Sequence, residues 1–521
     1  MRRVGPSSAA IALPACALAG LLHALSFAPW NLPALELAAL TVLAAVACRQ
    51  QTWRAAAACG LTFGLAWFGV GVSWVYISMH TFGQMPAWIA ALATAALAAY
   101  LALFPAMACA ACSRVNGSPS WRLLLAWPSA WSVSELLRGW LLTGMPWIAS
   151  GYAHTDGPLA GYAAFAGVYG IVLVAAFIAG AFALLLEPGD ARLRLQRASA
   201  LLAALALLGA GQWLRGAVYT TPAGAPITVE LIQGNIAQDL KFADNGVDLA
   251  ARQYLPLLAD AEAARVDLVV LPESAFPLAL GDLPPQIAQA LTDFVHDRDR
   301  ALVFGTFIEE PAGHYYNSAI GLQHDRPAQR YSKRHLVPFG EFIPFGFRWF
   351  IDLLNMPIGD QEQGRPRQAP MALAGQRLAI NICFEDLFGR EILDAWEAGG
   401  GEPTMLLNLS NLAWFGDSIA LAQHLQFSRM RALETGRPLL QATNSGITAI
   451  IDAGGRVQAS LPAASNLGAG RPPAQRLVAQ VRGYAGRTPY IRRGDAPVIV
   501  ASALMAAAAF GVRRTASREK T

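Results

Sequence analysis

Three stretches of the chain combine a strand-like run with a residue able to take part in acyl transfer. Leu268 to Ser274 reads Leu-Val-Val-Leu-Pro-Glu-Ser and carries Glu273; Tyr331 to Glu341 carries Lys333 and Glu341; Ile380 to Asp386 carries Cys383 and Glu385. A carboxylate serves as general base, a thiol as a nucleophile that holds an acyl group as thioester, and an ammonium stabilises a thiolate or a developing oxyanion. Taken singly, each has an ordinary explanation: a capping Glu, a solvated Lys, a core Cys. His335 beside Lys333 raises a Cys-His alternative, for which the sequence identifies no Asn or Asp orienter. Cys383 stands alone in the polar half of the chain, whereas Cys16, Cys48, Cys59, Cys109 and Cys112 lie in or beside apolar runs, where a free Cys behaves as a small hydrophobe. Cys109 and Cys112 form a CxxC pair without a second pair or a nearby His, which speaks against metal or redox chemistry there.

The basic residues are skewed. Only Lys241, Lys333 and Lys520 are lysines among 39 basic residues. Codon bias is the ordinary cause of such a skew; the other reading is that a persisting lysine sits where a compact ammonium fits and a guanidinium does not.

The elements that must position these groups alternate. Strands are expected at Ile227 to Gln233, Leu268 to Leu271, Leu302 to Phe307, Leu378 to Cys383, Met405 to Leu409 and Thr448 to Ile451, and helices at Asp248 to Ala264, Pro285 to Asp297 and Ile419 to Glu434. Such alternation reads as an α/β domain with its functional groups at strand ends.

Around this domain the chain is a membrane protein. It has 521 residues, 55% of them hydrophobic and 14% charged, with a formal charge of +4. The basic residues form short clusters and no basic face, which excludes nucleic acid as an expected partner. Apolar runs near the bilayer-spanning length occur at Ala9 to Phe27, Leu32 to Cys48, Ala55 to Ile77, Pro86 to Cys112, Trp121 to Leu137, Gly157 to Leu186, Ala198 to Leu214 and Ala496 to Val512. Arginines precede the first run and fill the loops after the second, fourth and sixth, while Ala28 to Asn31 and Ser78 to Gln84 have no Lys or Arg. Basic loops stay in the cytoplasm, so eight spans with both termini cytoplasmic are expected. The expected organisation is a seven-span domain at 1–214, an extracytoplasmic catalytic domain at 215–495, and an eighth span with a cytoplasmic tail at 496–521.

In their order and separation, Glu273, Lys333 and Cys383 resemble the Glu-Lys-Cys triad of the nitrilase superfamily. Further motifs look like the apolipoprotein N-acyltransferase family: Glu-Leu-Leu-Arg-Gly from Glu135, Thr-Gly-Met-Pro-Trp from Thr143, Gln-Gly-Asn-Ile from Gln233, Val-Pro-Phe-Gly-Glu-Phe from Val337, Ala-Trp-Phe-Gly from Ala413, Arg-Met-Arg-Ala-Leu-Glu from Arg429 and Thr-Pro-Tyr from Thr488. The pattern differs at Phe242, Phe384 and Leu412, where the family has Trp, Tyr and Asp. The resemblance implies an αββα nitrilase-like domain on a helical membrane bundle in the bacterial inner membrane, with the catalytic domain periplasmic. It implies a monomeric enzyme that passes a fatty acyl chain from a phospholipid to the α-amine of an N-terminal diacylglyceryl-cysteine on an apolipoprotein. Cys383 is then the nucleophile, Glu273 the general base, and Lys333 the cation that favours thiolate and oxyanion. The Phe384 backbone N–H is a second oxyanion donor, and Glu341 and Glu385 support the site. Thioester aminolysis runs downhill, so no metal or cofactor is implied.

The stretch from Phe339 to Pro357 is rich in aromatics and broken by Pro, Gly and charge. It reads as an apolar arm that dips into the outer leaflet, with Phe339, Phe347, Trp349 and Phe350 as lipid or substrate contacts; Trp414 of the Ala-Trp-Phe-Gly motif is a further one. The same nucleophile with water as acceptor would make a membrane hydrolase, and a silent domain would leave a transporter or lipid-binding scaffold.

Overall fold

The computed structural model describes residues 6–115, 117–263, 265–296, 300–311, 313–348, 360–463 and 473–518. It divides into two compact units, one formed by 1–76, 87–217 and 492–521, the other by 77–86 and 218–491.

The first unit is helical. Among the described residues, Ala87–Ser113, Pro158–Leu185 and Ala191–Leu214 are long and apolar enough to cross a membrane. Trp53–Gly71 and Trp74–Phe82 qualify together but meet at a 51° bend, so the straight run expected at Ala55 to Ile77 is a broken one. Ile11–Ala24, Pro33–Ala47 and Ala496–Gly511 are shorter apolar helices. The run from Trp121 to Leu137 is helical through Pro119–Trp121, Arg122–Ala126 and Trp127–Arg138, the middle piece being wider than an α-helix. Charges buried in this unit are paired, as an apolar surrounding demands: Arg138 lies 2.8 Å from Glu135, and His154 Nε2 lies 3.2 Å from Glu36.

The second unit is a sandwich of two six-stranded sheets. The first runs β12-β1-β2-β3-β4-β5 and the second β11-β10-β9-β8-β7-β6, with β1 Thr221–Gln233, β2 Leu268–Val270, β3 Ala301–Glu310, β4 His314–Gln323, β5 Gln329–Ser332, β6 Met371–Leu373, β7 Gln376–Ile382, β8 Met405–Ser410, β9 Leu439–Thr443, β10 Ala449–Ile451, β11 Val457–Ser460 and β12 Gln475–Ala485. Each sheet has a parallel centre, β1-β2-β3 or β7-β8-β9, flanked by antiparallel strands. The central strands are apolar on both faces, as strands covered on both sides must be.

Alternate residues sort into the layers. Val229, Leu231, Val270 and Val303 from one sheet meet Leu378, Ile380, Ile382 and Leu407 from the other in the central core. Facing the opposite way, Ile232, Val269, Leu302 and Phe304 pack against Gly246–Ala263 and Pro285–His296 through Tyr254, Leu258, Leu291 and Phe294. Ala379, Leu406, Leu439 and Ile451 take the outer face of the second sheet, with Ile392, Trp396 and Ala432 against them. The order is helix, sheet, sheet, helix. All six expected strands and all three expected helices are present, with ends shifted by a few residues.

Candidate active site

Strand ends bring the three groups together. Glu273 follows β2 by three residues, Lys333 directly follows β5, and Cys383 directly follows β7. All three are buried. Cys383 opens a single-turn segment, Cys383–Leu387, and sits at φ +53°, a conformation that costs a non-glycine residue about 1–3 kcal/mol. The next residue to β2's carboxylate, Ser274, is also left-handed at φ +48°. Gly305 on β3 permits this crowding, because a Cβ there would stand 2.5 Å from Ser274 N and 2.7 Å from Glu273 Cα.

Lys333 Nζ donates to Glu341 Oε1 at 2.8 Å and to Glu273 Oε1 at 3.3 Å. Asn317 on β4 bridges the same two carboxylates, its Nδ2 lying 2.8 Å from Glu273 Oε1 and 3.2 Å from Glu341 Oε1. The other carboxylate oxygens are held by main chain: the Asn411 N–H donates to Glu273 Oε2 at 2.8 Å and the Val337 N–H to Glu341 Oε2 at 2.8 Å. Burial alone would lower the Lys333 ammonium's hold on its proton, but the Glu273 and Glu341 carboxylates raise its pKa above the ordinary lysine range. It is a fixed cation.

Cys383 is buried beside the same charges. Burial pushes the thiol's pKa up, the Glu273 carboxylate adds to this, and Lys333 and the Asn411 N–H pull against them without prevailing. The thiol is held in its neutral form beside a carboxylate. A thiol in that state needs a proton acceptor at the moment it attacks.

Glu385 does not make the ion pair with Arg334 or Arg390 that its neighbourhood allows. Its carboxylate accepts from the backbone N–H of Ile382 and of Arg334, each at 2.6 Å, and from that of His335 at 3.1 Å, with the Tyr331 hydroxyl at 3.0 and 3.1 Å. It thus ties the end of β7 to the segment after β5, joining the nucleophile's strand to the cation's. Burial raises its pKa, and these N–H groups oppose that rise. His335 faces Glu391 at 3.1 Å and stacks on Phe388 at 3.5 Å; it is not paired with the thiol.

Several contributors lay outside the sequence reading. The Cys383 carbonyl accepts from His424 Nε2 at 3.2 Å and from Asn408 Nδ2 at 3.4 Å. Burial lowers the His424 pKa to about 4, so the ring is neutral and Nε2 carries the proton it donates. Asn317, Asn408 and Asn411 are polar residues within or just beyond apolar strands, and that position is the one sequence signal that points to them.

Of the aromatic contacts, Phe339 and Phe347 meet edge to face at 5.2 Å and both are exposed. Trp349 and Phe350 lie outside the described residues. Trp414 is exposed in Leu412–Phe415, its carbonyl accepting from Ser78 Oγ at 2.8 Å and its ring 6.2 Å from Phe82. Phe384 is buried beside Phe388, and Leu412 is fully buried; Phe242 is exposed, with its ring 6.5 Å from Phe307. Among the described residues no cluster of three or more His, Cys, Asp or Glu is arranged to hold a metal ion.

The family model described as apolipoprotein N-acyltransferase N-terminal domain matches residues 19–181, and that described as carbon-nitrogen hydrolase matches 205–468. The apolipoprotein N-acyltransferase of Ralstonia nicotianae is 48% identical, covering 97% of this chain and 94% of that protein. Its counterpart from Bordetella bronchiseptica is 42% identical over 95% and 96%. A solved carbon-nitrogen hydrolase from Helicobacter pylori G27 is 16% identical, covering 49% of this chain and 89% of that one, with a TM-score of 0.36. The chain belongs to the apolipoprotein N-acyltransferase family.

Proposed function

We propose that this membrane enzyme moves a fatty acyl chain from a phospholipid to the α-amine of an N-terminal diacylglyceryl-cysteine, through a thioester on Cys383. The observation that carries the proposal is the buried Cys383 at a strand end, facing the charges of Glu273, Lys333 and Glu341. Glu273 takes the thiol proton as sulfur attacks the ester carbonyl. Lys333 and the backbone N–H of Phe384 stabilise the oxyanion. Collapse breaks the ester C–O bond, Glu273 returns the proton to the departing alkoxide, and lysophospholipid leaves. In the second half the neutral amine attacks the thioester, Glu273 takes a proton from its nitrogen, the C–S bond breaks, and that proton returns to sulfur. The net result is an amide and a free thiol, with Glu273 restored.

Residues 1–214 form a seven-span membrane domain, 215–495 a periplasmic catalytic domain, and 496–521 the eighth span and cytoplasmic tail, in a monomer. The arginine alternation supports this orientation. Phe339, Phe347, Trp349, Phe350 and Trp414 contact lipid or acyl chain. Glu341 holds Lys333, and Glu385 holds the strand ends.

Incubation with phosphatidylethanolamine and a diacylglyceryl-cysteine peptide tests the reaction. The expected products are lysophospholipid and N-acylated peptide in equal amounts, both absent with Cys383→Ala. Free fatty acid without N-acylated peptide would mean that water is the acceptor.

A further inference from the structure

Lysine is rare in this chain, and the mechanism uses only Lys333. Lys241 closes the short helix Gln238–Lys241 and is fully buried, although it lies outside the Glu273–Lys333–Glu341 cluster. An ammonium is costly to bury without a partner that needs it. Its Nζ donates to the main-chain oxygen of Glu273 at 2.9 Å. That oxygen sits just before left-handed Ser274, where the backbone has turned away from the β2 ladder.

The same short helix reaches the other side of Glu273. Gln238 Oε1 accepts from Asn411 Nδ2 at 2.8 Å, and the Asn411 N–H donates to Glu273 Oε2 at 2.8 Å. Glu273 is therefore gripped twice from one element, at its peptide by Lys241 and at its carboxylate through Asn411. The helix itself has little room to shift: a Cβ at Gly246 would stand 2.1 Å from the Lys241 carbonyl oxygen. Lys241 fits this place by reach, since a Gln side chain is one atom shorter and a guanidinium is bulkier.

We propose that Lys241 is a positioning residue for the acyl-transfer base, fixing the Glu273 peptide so that its carboxylate meets both Lys333 and the Cys383 thiol. This rests on the reading of Glu273 as the base. Burial lowers the Lys241 pKa to about 7, against the pull of Glu273, and both the amine and the ammonium retain N–H groups that donate to a carbonyl.

The test uses the full-length enzyme in mixed micelles with phosphatidylethanolamine alone, following thioester formation in a single turnover across lipid concentrations. Lys241→Met is expected to lower the maximal rate per folded enzyme about 10–100-fold, as small misplacement of a reacting group does, with half-saturation unchanged within about twofold. Gln238→Ala, which loosens only the second grip, is expected to lower the same parameter by a smaller factor. Glu273→Gln separates the two readings. If it keeps the wild-type rate, Glu273 is not the base and the positioning role falls with it. If Glu273→Gln is inactive while Lys241→Met keeps a maximal rate within twofold, or loses only lipid affinity, the positioning role alone is overturned. Should Lys241→Met fail to fold, an unchanged maximal rate in Gln238→Ala overturns the clamp.

Discussion

At the scale of single residues, the site depends on groups that hold other groups. Glu385 accepts from three backbone N–H donors on two segments, and each buried donor left without a partner costs about 1–3 kcal/mol. Glu385→Ala is therefore expected to lower the melting temperature, and to slow acyl-enzyme formation on Cys383 by at least about 100-fold through lost geometry. Wild-type values for both would mean that the staple does not matter. Glu273 and Cys383 stood out in the sequence because each ends an apolar run, Lys333 because lysine is rare and it ends a strand-like run, and Glu341 because it falls in the motif that follows Lys333. Gln238, Asn317 and Asn411 did not, because each acts on a partner distant in sequence, a distance that only the folded sheets close; Lys241 stood out by the rarity of lysine, but its partner, the Glu273 carbonyl, did not. The raised pKa of the thiol was not legible either, because burial, its largest cause, appears only in the folded protein.

At the scale of elements, packing decides where the carboxylate stands. Gly305 on β3 lies against the Glu273 turn, and its missing Cβ is what lets backbone approach backbone. Gly305→Ala is expected to push the turn outward and lower the turnover number about 10–100-fold, with lipid half-saturation little changed; a turnover number equal to wild type would show that the contact yields freely. Asp386, in the turn after Cys383, is buried and accepts from Ser428 Oγ on the helix Ala420–Thr435. Burial raises its pKa to about 7, with Ser428 and Arg431 opposing. The folded state then holds a proton that the unfolded chain, with a carboxyl near 3.9, releases. Its contribution is fully present below about pH 4 and is lost as pH rises to about 7. Asp386→Asn is expected to flatten the fall of melting temperature across that window; an unchanged slope would assign it to other groups. Of the strands not foreseen, β4 opens with His314, Tyr315 and Tyr316, and β12 alternates polar residues. They owe their place to pairing with β3 and β1.

At the scale of the whole molecule, the apolar helices and the sandwich are separate compact units, and residues 77–86 group with the sandwich. The orientation rests on charge. A single cysteine introduced at Gln51 or Ser118, beside arginine-bearing loops, is expected to resist a membrane-impermeant maleimide in intact cells, whereas one at Leu32 or Gln84 reacts; the reverse pattern would invert the topology. The 51° break after Gly71 was not legible from hydropathy, since an apolar run carries no mark of its own bend.

The most direct measurement is intact-mass spectrometry of the full-length enzyme after incubation with phosphatidylethanolamine alone, followed by peptide mapping. One acyl chain added per molecule, located on Cys383 and released by hydroxylamine or by the diacylglyceryl-cysteine peptide, is the expected result. An acyl group on another residue, or N-acylated peptide formed by Cys383→Ala at the wild-type rate, would contradict the thioester mechanism.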